Sequence, residues 1–259
     1  MKKKEKMMTL GIGALAILCV FVVWYVAATY TRVSMFFPAP QQVFAKLVES
    51  FTVPIGKYTL GMHVLYSLKR VFVGFGLSSV VGIILGVGMG YSKTIDAIVR
   101  PIFNIIRPIP GLAWIPLAIL WFGIGETTKY FIIFMGGFSN IVLNSYDGTN
   151  KVDKTLVGAA ELLGANRLQI FKNIILPSAT PYIFAGLQVS LSTSWMAVLA
   201  AEMISSYEGA GWIINMGMNV GDTVLILVGM ISIAIVGFIL ANVMRILERR
   251  LCSWTIRGK

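Results

Sequence analysis

Apolar positions in this chain come in long unbroken stretches, not in strand-like alternation. Stretches free of Asp, Glu, Lys and Arg run from Met7 to Thr31, Val71 to Ser92, Pro108 to Gly125, Tyr130 to Tyr146, Asn173 to Ala201 and Thr223 to Met244. A helix needs about 20 apolar residues to cross the hydrocarbon core of a bilayer, so six spans are the simplest count. The third extends back to Pro101 if Arg107 is accommodated. The third and fourth are the shortest, parted only by Gly123-Ile-Gly-Glu-Thr-Thr-Lys129. Lys2-Lys-Lys-Glu-Lys6 looks like the start of a signal peptide. The apolar part of a cleaved signal is about 7–15 residues long, and Met7–Thr31 is longer, so we read an uncleaved anchor.

Composition sharpens this picture. Of the 259 residues, 57% are hydrophobic and 13% charged, against about a quarter charged in soluble domains. The formal net charge is +11, from 22 Lys and Arg against 11 Asp and Glu. A basic surplus suits nucleic acid in a soluble protein and a topology signal in a membrane protein. Six spans put both termini on one side. That side holds Lys2, Lys3, Lys4, Lys6, Lys93, Arg100, Lys151, Lys154, Arg167, Lys172, Arg245, Arg249, Arg250, Arg257 and Lys259, which is 15 of the 22. Arg32, Lys46, Lys57, Lys69, Arg70, Arg107 and Lys129 remain for the other side or the spans. Lys and Arg accumulate on the cytoplasmic side, so the termini read as cytoplasmic. Basic residues spread over four segments argue against a nucleic-acid partner.

Within the spans, Gly82, Gly86 and Gly90 recur every fourth residue and prepare a face for close helix packing. Pro101, Pro108, Pro110 and Pro116 break the third span, and broken backbone in a membrane sits where protein or a cavity covers it. Glu202 ends the fifth span behind the polar run Ser190 to Trp195. An ionisable residue there is either a functional group or a carboxylate satisfied by its neighbours. His63, the single histidine, has no cysteine or carboxylate at ligand spacing, so no metal site is expected. Cys19 and Cys252 read as free thiols.

The segment Asp147 to Leu176 differs from the other cytoplasmic pieces. Asp153 is suited to cap a helix. Leu156, Val157, Ala160, Leu163 and Ala165 form one apolar stripe, and Leu168, Phe171, Ile174 and Ile175 a second. Gly164 lies between them as a cap or bend, and Pro177 is expected to stop the second helix and begin span five. Two apolar stripes outside the bilayer need either lipid headgroups or a partner's groove. No phosphate-binding loop, zinc-protease motif or nucleophile elbow is present, and no close pair of acids within the spans suggests a proton relay. Active transport by this chain would draw its energy from another chain, so it is not expected to be an enzyme.

Gly158-Ala-Ala-Glu-Leu-Leu-Gly164, followed by Ile174-Ile-Leu-Pro177, resembles the cytoplasmic E-A-A-x-x-x-G-x9-I-x-L-P loop of ABC importer permeases. Gly158 stands where the family usually has Glu. Phe37 to Phe44, Ser67 to Gly74, Pro108 to Gly125, Ala201 to Met203 and Gly209 to Ile214 are similar to the nitrate/sulfonate/taurine branch. The resemblance covers about residues 35–255 as the permease domain, after an N-terminal tail and first span over 1–34.

It implies an all-α type I importer permease with six transmembrane helices in a bacterial inner membrane. Its coupling loop, 147–177, would meet the ATPase through Gly158, Ala159, Ala160, Glu161, Gly164, Ala165, Arg167, Ile174, Leu176 and Pro177. Implied partners are two cytoplasmic ATPase subunits carrying ATP and Mg, a second permease subunit expected to be a copy of this chain, and an extracytoplasmic binding protein. No cofactor is expected on this chain. The implied solute is small, anionic (sulfonate, taurine, nitrate or bicarbonate) or a vitamin precursor. Polarity and position nominate Trp114, Ser139, Asn140, Thr193, Ser194 and Trp195 for the pathway, with Glu202 near its outer mouth and Arg107 as the obvious cation. The competing reading is an ion-gradient-driven carrier, which predicts buried charges and a self-sufficient chain.

Overall fold

A computed structural model describes residues 2–31 and 37–252. Arg32, Arg257 and Lys259 of the charge tally lie outside the described residues. The described residues are almost entirely helical and contain no strand, only one isolated bridge between Ile55 and Tyr58.

Helix α1 (Lys2–Tyr30) leans on the short α2 (Pro40–Glu49) through Phe21, Trp24 and Phe44, buries Ala28, and is mostly exposed elsewhere along its described side chains. The centre is α3 (Leu60–Tyr91), α6 (Glu126–Asn150) and α9 (Leu176–Ser205), packed side by side, with α11 (Thr223–Leu251) against α9. Between α3 and α6 lie α4 (Lys93–Ile106), a tight turn at Gly111–Trp114 and α5 (Ile115–Phe122). Helices α7 (Lys154–Leu162) and α8 (Arg167–Ile170) follow α6, and α10 (Ala210–Val220) precedes α11.

Small residues set the central contact. A methyl group on Gly82 would come within 2.9 Å of Ile141, and on Gly90 within 2.6 Å of Thr149. The four-residue glycine repeat therefore brings α3 and α6 backbone to backbone, as small-residue stripes do in membranes. Gly137, Gly148 and Gly186 do the same between α6 and α9.

Among the described residues, four helices are long and apolar enough to cross a membrane: Gly11–Tyr30, Leu60–Tyr91, Arg167–Ile204 and Thr223–Leu251. The pair Lys93–Ile106 and Gly111–Phe122 passes jointly but is bent by 86°, a broken fifth span with Pro108 and Pro110 at the break. Helix α6 matches the others in length, about 37 Å at 1.5 Å per residue, but falls short in apolarity. Its ends carry Glu126, Lys129 and Asp147 and its middle carries Asn140 and Asn144. Against the six spans expected, the described residues thus give four, or five with the broken pair, and α6 as a polar central helix.

Two expectations change, and one left open is resolved. Lys93 and Arg100 are not in a loop: α4 starts one residue after α3 ends, capped by Ser92. Arg70, left open between the other side and the spans, lies roughly three turns inside α3. Pro177 does not stop a helix. Arg167–Ile204 is one continuous helix with a wide π-helical turn at Phe171–Ile175 just ahead of the proline. A proline lacks the N–H that would bond back one turn; here the widened π-helical turn just ahead of it accommodates the missing bond.

Candidate functional site

Two polar regions stand at opposite ends of α6. At its start, the Arg70 guanidinium, 1% exposed, bonds three carboxylates: Glu126 at 2.8 Å, Glu202 at 2.8 Å and Glu208 at 2.6 Å. Lys129 pairs with Glu126 at 2.7 Å. Glu202 also accepts from Ser67 Oγ and from the Gly211 N–H at 3.0 Å. The Gly209 N–H donates to His63 Nδ1 at 3.0 Å, which leaves the ring proton on Nε2 for the Ile55 carbonyl. Gly209 has φ +116, and a side chain there would collide with the Glu202 carboxylate. Glu202 is therefore the satisfied carboxylate of the two alternatives, tying α3 to α9 and α10.

At the other end the α7–α8 loop is held by its own backbone. The Asp153 carboxylate accepts from the Thr155 N–H at 2.8 Å, which keeps its pKa below the usual aspartate value. Helix α7 closes with the Ala165 N–H on the Ala160 carbonyl and the Gly164 N–H on the Glu161 carbonyl, Gly164 at φ +81. This is a Schellman ending, which favours glycine at that position. Asn166 and Gln169 then cap α8 reciprocally, a capping box.

The second apolar stripe is not free to dock. Ile170 and Ile175 are buried, and Phe171 packs on Tyr91 at 5.1 Å and beside Val87 and Ile183. The unpartnered apolar residues are Leu162 at 91% exposed, Leu163 at 89%, Leu168 at 60% and Leu156 at 55%. Leu162 was missed by the stripe reading. It juts from the final turn of α7, where the Schellman ending brings both leucines outward. Ala159, Glu161, Gly164 and Arg167 are exposed around them, Gly158, Ala160 and Ala165 half-buried. Ile174, Leu176 and Pro177 lie farther back, at the join with α9. A side chain added to Gly158 meets nothing within 4 Å, so the residue usual in the family has room.

The nominated pathway residues do not form one surface. Asn140 Nδ2 reaches Thr193 Oγ1 at 3.5 Å between α6 and α9. Ser194 Oγ donates to the Ile133 carbonyl and Trp195 Nε1 to the Ile233 carbonyl, so both serve helix packing. Trp114 packs on Phe131, and its indole N–H is buried without a partner. Ser139 lies half-buried on a different face of α6 from Asn140. No group of His, Cys, Asp and Glu suited to a metal occurs among the described residues.

Comparison with known proteins fits this geometry. A family model described as binding-protein-dependent transport system inner membrane component matches residues 78–252. The taurine transport system permease protein TauC of Escherichia coli is 37% identical, covering 96% of this chain and 91% of that one. The nitrate import permease protein NrtB of Synechocystis sp. is 34% identical over 91% of this chain and 86% of its own. The putative aliphatic sulfonates transport permease protein SsuC of Bacillus subtilis is 33% identical over 74% and 70%. The inward-facing MetNI methionine ABC transporter superposes with a TM-score of 0.65 over 74% of this chain and 95% of that chain, at 20% identity, and so shares the fold. These matches set aside the self-sufficient carrier. The chain belongs to the binding-protein-dependent inner membrane components, the multi-pass permease subunits of ABC importers.

Proposed function

We propose that this chain forms, with a second copy of itself, the membrane pathway of an importer for small oxyanions of the sulfonate, taurine, nitrate or bicarbonate class. A vitamin precursor is the remaining solute class. An extracytoplasmic binding protein delivers the solute, and two cytoplasmic ATPase subunits drive the cycle with ATP and Mg. Both termini face the cytoplasm, in keeping with the bias of basic residues.

The observation that carries the ATPase contact is the pair Leu162 and Leu163, almost wholly exposed on a doubly capped helical loop. Soluble-side leucines of this kind mark a docking surface, and a rigid loop loses little entropy on docking. Closure of the ATPase dimer on ATP binding would draw two such loops together and open the pathway outward, and release after hydrolysis would reset it. The solute class is supported by the taurine, nitrate and sulfonate relatives, and the relevant test is reconstitution. Permease, ATPase and binding protein in liposomes should accumulate labelled taurine or nitrate only with ATP inside. Uptake that persists without the ATPase subunits would overturn the reading.

A further inference from the structure

Helix α4 has two unlike faces. Ile98, Ile102 and Ile105 form one strongly exposed stripe. The opposite side carries Asp96, Arg100, Asn104 and Arg107, three to four residues apart. Charged groups on a membrane-crossing element face the bundle interior or water, not lipid. Here Arg100, Asn104 and Arg107 line, with Tyr146 among others, a half-open cavity of about 140 Å³ between α4 and the adjoining parts of α3 and α6. One water needs only about 10–15 Å³ on this measure, so the cavity has room for a small organic ion.

Its chemistry is one-sided, because no carboxylate lines it. Arg100 is fixed in place: its Nε and Nη2 edge pairs with Asp96 at 2.8 and 2.7 Å, Nη2 also donates to the Tyr146 hydroxyl, and the group stacks on the Tyr146 ring at 4.8 Å, which leaves Nη1 for a ligand. Arg107 makes no ion pair among the described residues. It stands where α4 ends and the chain turns by 86° through Pro108 and Pro110. The unpaired Arg107 can offer the paired N–H groups by which guanidinium binds a planar or tetrahedral oxyanion, with the remaining nitrogen of Arg100 and the Asn104 amide beside it.

We infer that Arg100, Asn104 and Arg107 form an anion station on the transport pathway and hold the oxyanion group of the solute. Its place on the pathway rests on the importer reading above. Ser139, on the same face of α6 as Leu143 and Tyr146 by helical spacing, continues the polar lining one turn away.

The test uses the complete permease–ATPase complex in nanodiscs, with Cys19→Ser and Cys252→Ala, and a reporter thiol at Asn104→Cys. The probes are sulfonatoethyl methanethiosulfonate, an anion, and its trimethylammonium counterpart, a cation, each normalised to its rate with a free thiol. Focused positive charge raises local anion concentration. The anionic reagent should therefore react about tenfold faster than the cationic one, as on-rates respond to charged clefts. Arg107→Gln should bring the ratio close to one. Millimolar taurine or nitrate should slow the anionic reagent.

In liposomes, Arg107→Gln and Arg100→Gln should cut ATP-driven uptake at least tenfold, with Arg107→Lys recovering part of it and Ile105→Ala keeping it. Size-exclusion profiles and ATPase co-purification check that each variant assembles, and Ser139→Cys is a second reporter. An unreactive Asn104→Cys, a ratio insensitive to Arg107, or wild-type uptake in both glutamine variants would each overturn the station. Import of only a neutral or cationic solute by the wild type would instead sink the anion-importer reading, whatever the labelling ratio.

Discussion

The two ends of α6 treat polar and apolar groups in opposite ways. At Glu126 every strong group finds its partner within the chain: one guanidinium answers three carboxylates. Past Asn150 the backbone is equally well satisfied, by two caps and a Schellman ending, yet four leucines have nothing over them. A saturated cluster holds helices together and has no capacity left for a ligand. A rigid segment with bare leucines is unfinished and needs another molecule to complete it. Along α6, then, the densest charge cluster is architectural, and the proposed docking site is apolar.

The sharpest way to break this contrast is at Arg70. Arg70→Ala leaves Glu202 buried and uncompensated, a change that costs about 3–5 kcal/mol for a buried pair. We expect a large loss of folded protein and a lower melting temperature in detergent. A stable Arg70→Ala permease with only its transport lost would make the cluster functional after all.

Next comes the loop. Leu162→Glu with Leu163→Glu should leave the melting temperature unchanged, because neither side chain packs on this chain. Each leucine buried on docking contributes on the order of 1.5–3 kcal/mol, so the pair should weaken ATPase retention by about a hundredfold or more. Co-purification of the ATPase subunits measures it, and normal retention would remove these leucines from the interface.

Gly164→Ala is smaller. It forces a Cβ into the left-handed region at about 1–2 kcal/mol and should loosen the turn between α7 and α8. We expect uptake lowered several-fold with membrane insertion normal, and wild-type uptake would show that the turn need not be rigid. Smallest is Gly158→Glu. With open space at that position, it should leave stability unchanged and shift uptake by no more than about twofold, as surface substitutions do. A collapse of expression would mean that the space is filled in the assembled importer.

The loop was legible because its determinants are local. Asp153, Gly164 and the Asn166–Gln169 pair act on residues within five positions, and such spacing survives in a string of letters. Leu162 escaped because a stripe drawn at regular helical spacing stops short of the distorted final turn. The Arg70 cluster was invisible because its partners lie 56, 132 and 138 positions away. Each acid read singly looked like a loop residue or a pathway candidate. The polar side of α4 had a readable signal, Asp96, Arg100, Asn104 and Arg107 at helical spacing, but a search for charge-free stretches discards such a helix. Ser194 and Trp195 were nominated on polarity alone, which does not distinguish a hydroxyl or indole aimed at a pathway from one bonded to a neighbouring carbonyl.

The continuous helix through Pro177 has a mechanical consequence. A hinge between loop and span would dissipate a push as rotation. Arg167–Ile204 has no such hinge, and at 1.5 Å per residue it is a rod of roughly 55 Å. One end of the rod carries the loop, and the far end carries Glu202, clamped to Arg70. On the proposed coupling role, motion delivered at the first would arrive at the second as displacement, past the α6–α9 glycine contacts. The wide turn at Phe171–Ile175 and Pro181 are the points along the rod where the helical hydrogen bonding is interrupted.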